Sequence, residues 1–225
     1  MNNPRIALVH AVTVAIDPVV AAFAERWPEA DLANVLDDSL SGDRAADGLL
    51  TPKMHARFAS LTRYALDIGA HGILFTCSAF GEAIDAARAG ASVPVLKPNE
   101  AMFEAALAHG NRIGMLATFE PSVASMEQEF RALAGDSGAT IETLCIPPAM
   151  TALKHGDVQT HNRLLADAAP RLAACDALLL AHFSTSRALA AVEATVDIPV
   201  LTSPGSAVDK LKALIDGRTP AIAAG

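Results

Sequence analysis

Short runs of apolar residues alternate along the chain with longer segments in which apolar residues recur at helical spacing. The short runs are bounded by turn residues and predict strands, whereas the longer segments, rich in Ala and Leu, predict helices. The predicted strands are Ile6–His10, Leu32–Leu36, Gly72–Thr76, Val93–Leu96, Arg112–Thr118, Thr140–Cys145, Ala177–Ala181 and Ile198–Leu201. The predicted helices include Pro18–Arg26, Pro52–Ile68, Gly81–Ala89, Pro121–Leu133, Val158–Ala173 and Ser186–Ala194.

The regular alternation of strand and helix predicts an α/β fold. Parallel neighbours in a sheet need a long crossover connection, which a helix of this length supplies. Helices then cover both faces of the sheet, which agrees with strands that read as continuous apolar runs.

The chain also repeats itself. Arg5–Val9 resembles Arg112–Leu116 at an offset of 107 residues, and Gly72–Cys77 resembles Ala177–His182 at an offset of 105. The second match continues without a gap, because Pro94-Val-Leu falls on Pro199-Val-Leu at the same offset. A strand, a helix and a proline-containing strand in the same order and spacing indicate an internal duplication.

The duplication predicts two pseudosymmetric, doubly wound parallel-sheet lobes. We expect residues 1–98 and 206–225 to form the first lobe and residues 99–205 to form the second. Ligands bind beyond the carboxyl ends of strands in open parallel sheets, so the two lobes should enclose a cleft lined by strand-end residues. Those residues are His10, Cys77 to Ala79, Lys97 to Glu100, Thr118 to Glu120 and His182 to Thr185.

Composition and charge restrict the classes of partner. The 225 residues carry a net charge of -8 and no Lys/Arg cluster, which argues against nucleic acid or an anionic membrane as the main partner. No stretch is long and apolar enough to span a membrane, and neither terminus resembles a targeting sequence, so the expected location is the cytoplasm. The three cysteines are too few for a disulfide framework and are expected to be reduced.

Cys77 is the strongest candidate for a reactive group. It directly follows the apolar run Ile73–Thr76 and precedes a predicted helix, so its sulfur should lie near a helix N-terminus. Unpaired N–H groups and the helix dipole there favour the thiolate and should lower the pKa of the thiol. The alternative is that Cys77 is a small core residue.

The duplication places His182 in the position equivalent to Cys77. A thiol and an imidazole on opposite sides of a cleft could remove a proton next to a carboxylate on one face and deliver one on the other. The alternative is that His182 only hydrogen-bonds a neighbouring backbone group.

Hydroxyls near the strand ends could bind substrate oxygens. Ser78, Thr118 and Ser184 are suitable donors, although for any single one of them the position favours a helix cap. His10 ends the first strand and either reaches the cleft or faces solvent. Lys97 either neutralises a substrate carboxylate or lies on the surface.

The remaining candidate residues are not expected to take part in catalysis or metal binding. Cys145 should end an edge strand and Cys175 precedes a strand at the opposite end of the sheet, so both are expected to be structural. The acidic segment Leu36–Asp43 lacks a partner histidine or a helical ligand spacing, which predicts a solvated loop rather than a metal site. The chain has no GxGxxG, GxxxxGK[ST] or GxSxG motif, which leaves dinucleotide, nucleoside triphosphate and serine-hydrolase functions unsupported.

Three segments resemble the aspartate/glutamate/hydantoin racemase superfamily, which includes arylmalonate decarboxylase and maleate isomerase. They are Ile73–Gly81, Arg112–Phe119 and Asp176–Ser184. The resemblance implies two pseudosymmetric α/β lobes, a homodimer, no pyridoxal phosphate or metal, and one proton-transferring cysteine from each lobe. It identifies Cys77 with the first of these cysteines and places His182 where the second would stand.

The resemblance and the residues together predict a cofactor-independent racemase or epimerase. It would act at the carbon next to the carboxylate of a small amino acid or related acid, with Cys77 and His182 as the acid and base. The expected substrate contacts are His10, Ser78, Ala79, Thr118, Phe119, Phe183 and Ser184. A decarboxylase with a single thiol, a maleate-type cis-trans isomerase and a binding protein for small carboxylates remain alternatives.

Overall fold

The computed structural model describes residues 3–217. Within these residues the chain forms two compact units: residues 3–98 and 207–217 make up the first, and residues 99–206 the second. The first lobe expected from the sequence also contains residues 1, 2 and 218–225, which lie outside the described residues. No helix between residues 3 and 217 has the length and apolar character needed to cross a membrane.

Each unit is built on a four-stranded parallel sheet. The strands of the first unit lie in the order β2-β1-β3-β4, and those of the second in the order β6-β5-β7-β8. The strands are β1 (Arg5–His10), β2 (Asp31–Leu36), β3 (Gly72–Phe75), β4 (Val95–Leu96), β5 (Arg112–Ala117), β6 (Thr140–Cys145), β7 (Ala177–Leu180) and β8 (Val200–Thr202). The identical strand orders and the helices between the strands confirm the predicted fold class.

Ten α-helices connect the strands over the described residues. They are α1 (Ile16–Arg26), α2 (Ser39–Asp47), α3 (Pro52–Asp67), α4 (Gly81–Arg88), α5 (Glu100–Leu107), α6 (Val123–Ala134), α7 (Pro147–Lys154), α8 (Val158–Ala168), α9 (Leu189–Glu193) and α10 (Ser203–Ile215). Short 3-10 turns precede several of them, notably Ser78–Phe80 before α4, Glu120–Ser122 before α6 and Phe183–Ala188 before α9.

The strand order in each unit reverses direction between two central strands. From β1 the chain first moves outward to β2 and then returns across β1 to β3, and β5, β6 and β7 repeat this path. The crevice at the carboxyl ends of the two central strands is the place where open α/β sheets bind ligands. The residues after β1 and β3, and those after β5 and β7, are therefore well placed for function.

An aromatic cluster supports the end of β3 in the first unit. The ring of Phe58 in α3 lies 5.2 Å from that of Phe75 and 4.9 Å from that of Phe80, measured between centroids. All three side chains are at most 2% exposed, and Cys77 packs against the same cluster. The rigid rings thus fix the backbone on both sides of Cys77.

Helix α10 returns to the first unit and packs on β3. A Cβ at Gly72 would lie 3.0 Å from side-chain carbons of both Leu211 and Ile215, so glycine lets α10 approach β3 without displacing them. Residues 207–215 of α10 thus belong to the same unit as β1.

The acidic segment Leu36–Asp43 is not a solvated loop, contrary to the sequence-based expectation. Helix α2 begins at Ser39 inside it, and Leu40 is buried in the core of the first unit. Gly48 ends the helix with a φ of 68°, the left-handed conformation typical of a helix C-terminus. Its acidic side chains make ion pairs, since Arg57 binds both Asp37 and Asp43.

Candidate functional site

Cys77 lies at the crevice of the first unit. It is the second residue after β3, has extended backbone and is partly buried. A small apolar cavity, too narrow to hold a water molecule, lies beside it between the ends of β1 and β3, with His10, Leu40 and Phe58 among the lining residues. The thiol thus lies at the edge of the sheet where the fold predicts a ligand site.

The expectation that the thiol of Cys77 has a lowered pKa is wrong. Burial raises its pKa above the ordinary value, because a thiolate loses more hydration than a thiol. The backbone N–H of Ala79 and the hydroxyl of Ser41 both interact with the sulfur and lower the pKa, but by less than burial raises it. The predicted N–H contact is therefore present, but Cys77 rests as a protonated thiol.

Ser41 is a functional candidate that the sequence did not reveal. Its hydroxyl donates to the carbonyl oxygen of Ala11 over 3.2 Å and also faces the sulfur of Cys77. The sequence pattern around it predicts a solvated loop, which gives no reason to expect a contact with Cys77. The signal available in the sequence was Gly48, which marks the end of a helix containing Ser41.

His10 ends β1 and is fully buried rather than solvent-facing. Its Nε2 lies 2.9 Å from Oδ1 of Asn34, and its Nδ1 lies 2.9 Å from the hydroxyl oxygen of Thr76. Burial lowers the pKa of the imidazole, and the bond to Asn34 raises it by less. Because both ring nitrogens have partners, His10 orders the crevice around Cys77, and its contact with substrate stays a prediction.

His182 occupies the crevice of the second unit in a conformation that side chains rarely adopt. It is the second residue after β7, with a φ of 70° and a ψ of 152°, and it alone among the non-glycine residues from 3 to 217 has a positive φ. Such backbone costs on the order of 1–3 kcal/mol and clusters at functional sites. The hydroxyl of Thr185 stabilises the turn, since it lies within hydrogen-bond distance of the carbonyl oxygens of Ala181 and His182 and can donate to either.

Only one ring nitrogen of His182 has a well-formed hydrogen bond to a described residue. Its Nε2 lies 2.7 Å from the hydroxyl oxygen of Ser122, which precedes α6. Its Nδ1 is buried and makes no well-formed hydrogen bond with any described residue. Burial lowers the pKa of the imidazole to about 4, an effect that the nearby carbonyl group of Ala181 only partly opposes. His182 is therefore a neutral imidazole near pH 7.

The predicted substrate-binding positions differ in accessibility. Thr118 is 1% exposed, and its hydroxyl oxygen has no hydrogen-bond partner among the described residues. Phe183 and Ser184 are 3% and 9% exposed, whereas Ser78 is partly buried and Ala79 is exposed. Their contacts with substrate stay predictions.

Phe119 and Glu120 follow β5 and are both exposed on the surface of the second unit. The ring of Phe119 is 47% exposed, which is unusual for an aromatic side chain. The carboxylate of Glu120 accepts a hydrogen bond from the thiol of Cys145 at the end of β6. Burial and this carboxylate together raise the pKa of Cys145 to about 11, so this thiol stays protonated.

The other candidate side chains are engaged in structural contacts. The ammonium group of Lys97 lies 3.1 Å from a carboxylate oxygen of Asp85, which makes Lys97 part of an ion pair. Cys175 precedes β7 at the amino end of its sheet, where burial raises the pKa of its thiol. No three His, Cys, Asp or Glu side chains within residues 3–217 form a group able to hold a metal ion.

Comparison with solved structures shows what this fold is similar to. The match to an allantoin racemase from Klebsiella pneumoniae covers 97% of this chain and 90% of that protein, at 17% identity and a TM-score of 0.72. The match to an aspartate racemase homologue from Pyrococcus horikoshii covers 96% of this chain and 100% of that protein, at 14% identity and a TM-score of 0.71. The match to a mutant arylmalonate decarboxylase covers 96% of this chain and 95% of that protein, at 17% identity and a TM-score of 0.69. At these identities the likeness shows the fold.

The sequence itself carries the more specific signal. Residues 41–139 match the family model Asp/Glu/Hydantoin racemase. The resemblance stated from the sequence is thereby confirmed, and the predicted class of enzyme, an isomerase of this type, is the class of the racemases among the structural neighbours. The match begins at Ser41 and includes Cys77 and Thr118, whereas His182 lies outside it. No curated protein matches the chain in sequence.

Proposed function

We propose that this chain is a cofactor-independent racemase or epimerase acting at the carbon next to the carboxylate of a small acid. Cys77 and His182 serve the reaction as the two groups that exchange protons with that carbon. The observation that carries the proposal is the equivalent placement of the two side chains, each the second residue after a central strand and each at the crevice of its own unit.

The protonation states of the two groups support this assignment. The raised pKa of Cys77 leaves a thiol that can give a proton, and the lowered pKa of His182 leaves an imidazole that can accept one. When His182 takes the proton from the α-carbon, the electron pair of the C–H bond passes to the carbon and its carboxylate. Cys77 then delivers its proton to the opposite face, which inverts the centre and leaves a thiolate and an imidazolium. Return of both protons in the reverse direction, or exchange with solvent, restores the enzyme.

The negative charge that develops on the substrate needs hydrogen-bond donors. Thr118 offers a buried hydroxyl without a partner, which a substrate oxygen would satisfy. Ser78, Ser184 and the backbone N–H groups of the 3-10 turns after β3 and β7 complete the set of donors in the proposal. The exposed ring of Phe119 suits an apolar substituent, and the nearby Glu120 carboxylate disfavours a second negative charge.

A decarboxylase is the second candidate, because a protonated thiol in apolar surroundings also suits one-sided protonation of a carbanion. In that reaction the bond to a carboxylate breaks, carbon dioxide leaves, and the electron pair stays on the α-carbon. Cys77 supplies the proton, and solvent restores the thiol. The structural similarity to an arylmalonate decarboxylase supports this candidate through the fold.

A panel of amino, hydroxy and malonic acids incubated in heavy water and followed by proton NMR tests the proposal. We expect the wild type to exchange the α-hydrogen of both enantiomers of at least one acid. In Cys77→Ser, exchange of the enantiomer whose proton faces Cys77 should be slower by about 100-fold or more. Cys175→Ser is the matched control, since it removes a thiol at the opposite end of a sheet and should retain activity. Equal exchange by wild type and Cys77→Ser would overturn the role of Cys77.

The same panel separates the alternatives. Release of carbon dioxide from a malonic acid without exchange in the other acids indicates the decarboxylase. Ligand binding that survives Cys77→Ala, with no turnover by either protein, indicates a binding protein. We further propose that the protein is a cytoplasmic homodimer. Light scattering coupled to size-exclusion chromatography measures its mass and so tests the dimer.

A further inference from the structure

The hydroxyl of Ser122 contacts two groups at once. Its oxygen lies 2.8 Å from the carbonyl oxygen of Phe119 and 2.7 Å from Nε2 of His182. A hydroxyl has one proton to donate, and a carbonyl oxygen can only accept. When that proton is donated to Phe119, the bond to His182 must be donated by Nε2–H.

This arrangement determines the tautomer of the imidazole. A neutral imidazole carries one proton, so a proton on Nε2 leaves Nδ1 with a free lone pair. Nδ1 is buried without a well-formed partner among the described residues. A proton on Nδ1 would have only the carbonyl oxygen of Ala181 nearby, and the geometry there gives no well-formed hydrogen bond.

An unpartnered buried nitrogen costs stability, roughly 1–3 kcal/mol. Such groups persist where a ligand supplies the missing partner. The left-handed backbone of His182 adds a further cost at the same residue, which is typical of functional positions. Both costs fall on His182.

We propose that Ser122 is a positioning residue that holds His182 in the Nε2–H tautomer, so that Nδ1 is the atom that takes and returns the substrate proton. The assignment of Nδ1 rests on the function proposed above. Proton uptake at Nδ1 produces an imidazolium whose Nε2–H still donates to Ser122, and the hydroxyl of Ser122 still donates to Phe119. Ser122 thus keeps its hydrogen bonds in both states of the ring and never has to gain or lose a proton.

Nitrogen-15 NMR of the histidine side chains in the free protein near pH 7 tests the tautomer without any substrate. The protein has 7 histidines, and the His182→Gln spectrum identifies the signals of His182 by their loss. We expect a protonated Nε2 and an unprotonated Nδ1 in the wild type and in Ser122→Thr. Ser122→Ala should give a mixture of tautomers, whereas Ser125→Ala, which removes a neighbouring serine-to-carbonyl bond of α6, should leave the tautomer unchanged.

Two results would overturn the inference: a protonated Nδ1 in the wild type, or an unchanged tautomer in Ser122→Ala. For an acid that the wild type turns over, Ser122→Ala should lower kcat about 10- to 100-fold with KM altered less than about threefold, and Ser122→Thr should recover most of the loss. If no acid is turned over, the proposed function fails while the NMR experiment still decides the tautomer.

Discussion

Cys77 and His182 hold equivalent places in their own sheets, yet their backbones differ. Cys77 is extended, with a φ of -124° and a ψ of 123°, whereas His182 has a φ of 70° and a ψ of 152°. Burial acts on both side chains in opposite directions, since it raises the pKa of the thiol and lowers that of the imidazole. Both groups are therefore uncharged near neutral pH, and the thiol can give a proton while the imidazole can accept one.

The pH dependence of kcat/KM should reflect this pair. His182 must be neutral to act as a base, so activity should fall only as the pH drops to about 4. Cys77 must be protonated to act as an acid, so activity should fall at alkaline pH above the ordinary thiol range. Between these limits we expect a broad plateau, measured as the rate of α-hydrogen exchange. A fall in activity centred between pH 6 and 7 would show that His182 has an ordinary pKa.

His182 should make the protein sensitive to acid. Its pKa is 6.5 when unfolded and about 4 when folded, so the unfolded state binds more protons as the pH falls from 6.5 to 4. The free energy of unfolding should therefore drop by about 3 kcal/mol more in the wild type than in His182→Gln over this range. Urea unfolding followed by circular dichroism measures it, and His155→Gln, at an exposed histidine, should behave as the wild type. An equal acid response in wild type and His182→Gln would contradict the burial of the neutral ring.

The backbone of His182 predicts an unusual order of stabilities. Both His182→Gly and His182→Ala lose the imidazole, but only glycine adopts a φ of 70° without strain. His182→Gly should therefore be more stable than His182→Ala by about 1 kcal/mol or more in urea unfolding. At Ala181, where φ is not positive, substitution by glycine should instead destabilise the protein. A His182→Ala variant as stable as His182→Gly would show that the backbone is unstrained.

The carboxylate of Glu120 should control the reactivity of Cys145. Glu120→Gln removes the charge that helps to raise the pKa of this thiol to about 11, so alkylation at mildly alkaline pH should become severalfold faster. The measurement uses a protein with serine at positions 77 and 175, so that mass spectrometry counts one thiol. Glu142→Gln is the control, because Glu142 acts on Cys175 and should leave the rate at Cys145 unchanged. An unchanged rate in Glu120→Gln would leave burial as the whole cause of the raised pKa.

The strands and the duplication could be predicted because patterns of contiguous residues are enough to identify them. Buried parallel strands are continuous apolar runs, and each of the eight lies within two residues of its expected bounds. Helix α2 was missed because its exposed face is acidic and a single leucine, Leu40, anchors it. The expected helix Ser186–Ala194 starts three residues later, with α9 confined to Leu189–Glu193, because its first residues belong to the 3-10 turn after β7 that Thr185 holds.

The site was predictable only in part. Position after a strand identified Cys77 and His182 as candidates, but their surroundings depend on residues distant in sequence. Ser122 lies 60 residues from His182, and no local pattern indicates that they meet. The sequence also could not predict that the pKa of Cys77 is raised. The N–H groups of the following turn, which lower the pKa, could be predicted, but the burial that raises it by more could not.

Solvent deuterium exchange into each pure enantiomer of one active acid tests the central claim most directly. The account predicts that the wild type labels both enantiomers and that Cys77→Ser labels only the one whose proton faces His182. It predicts that His182→Gln labels only the other, through the thiolate form of Cys77 and therefore faster as the pH rises. Opposite enantiomer preferences in the two variants would establish one proton-transferring group on each face of the substrate. Racemisation that persists in either variant, or the same preference in both, would contradict it.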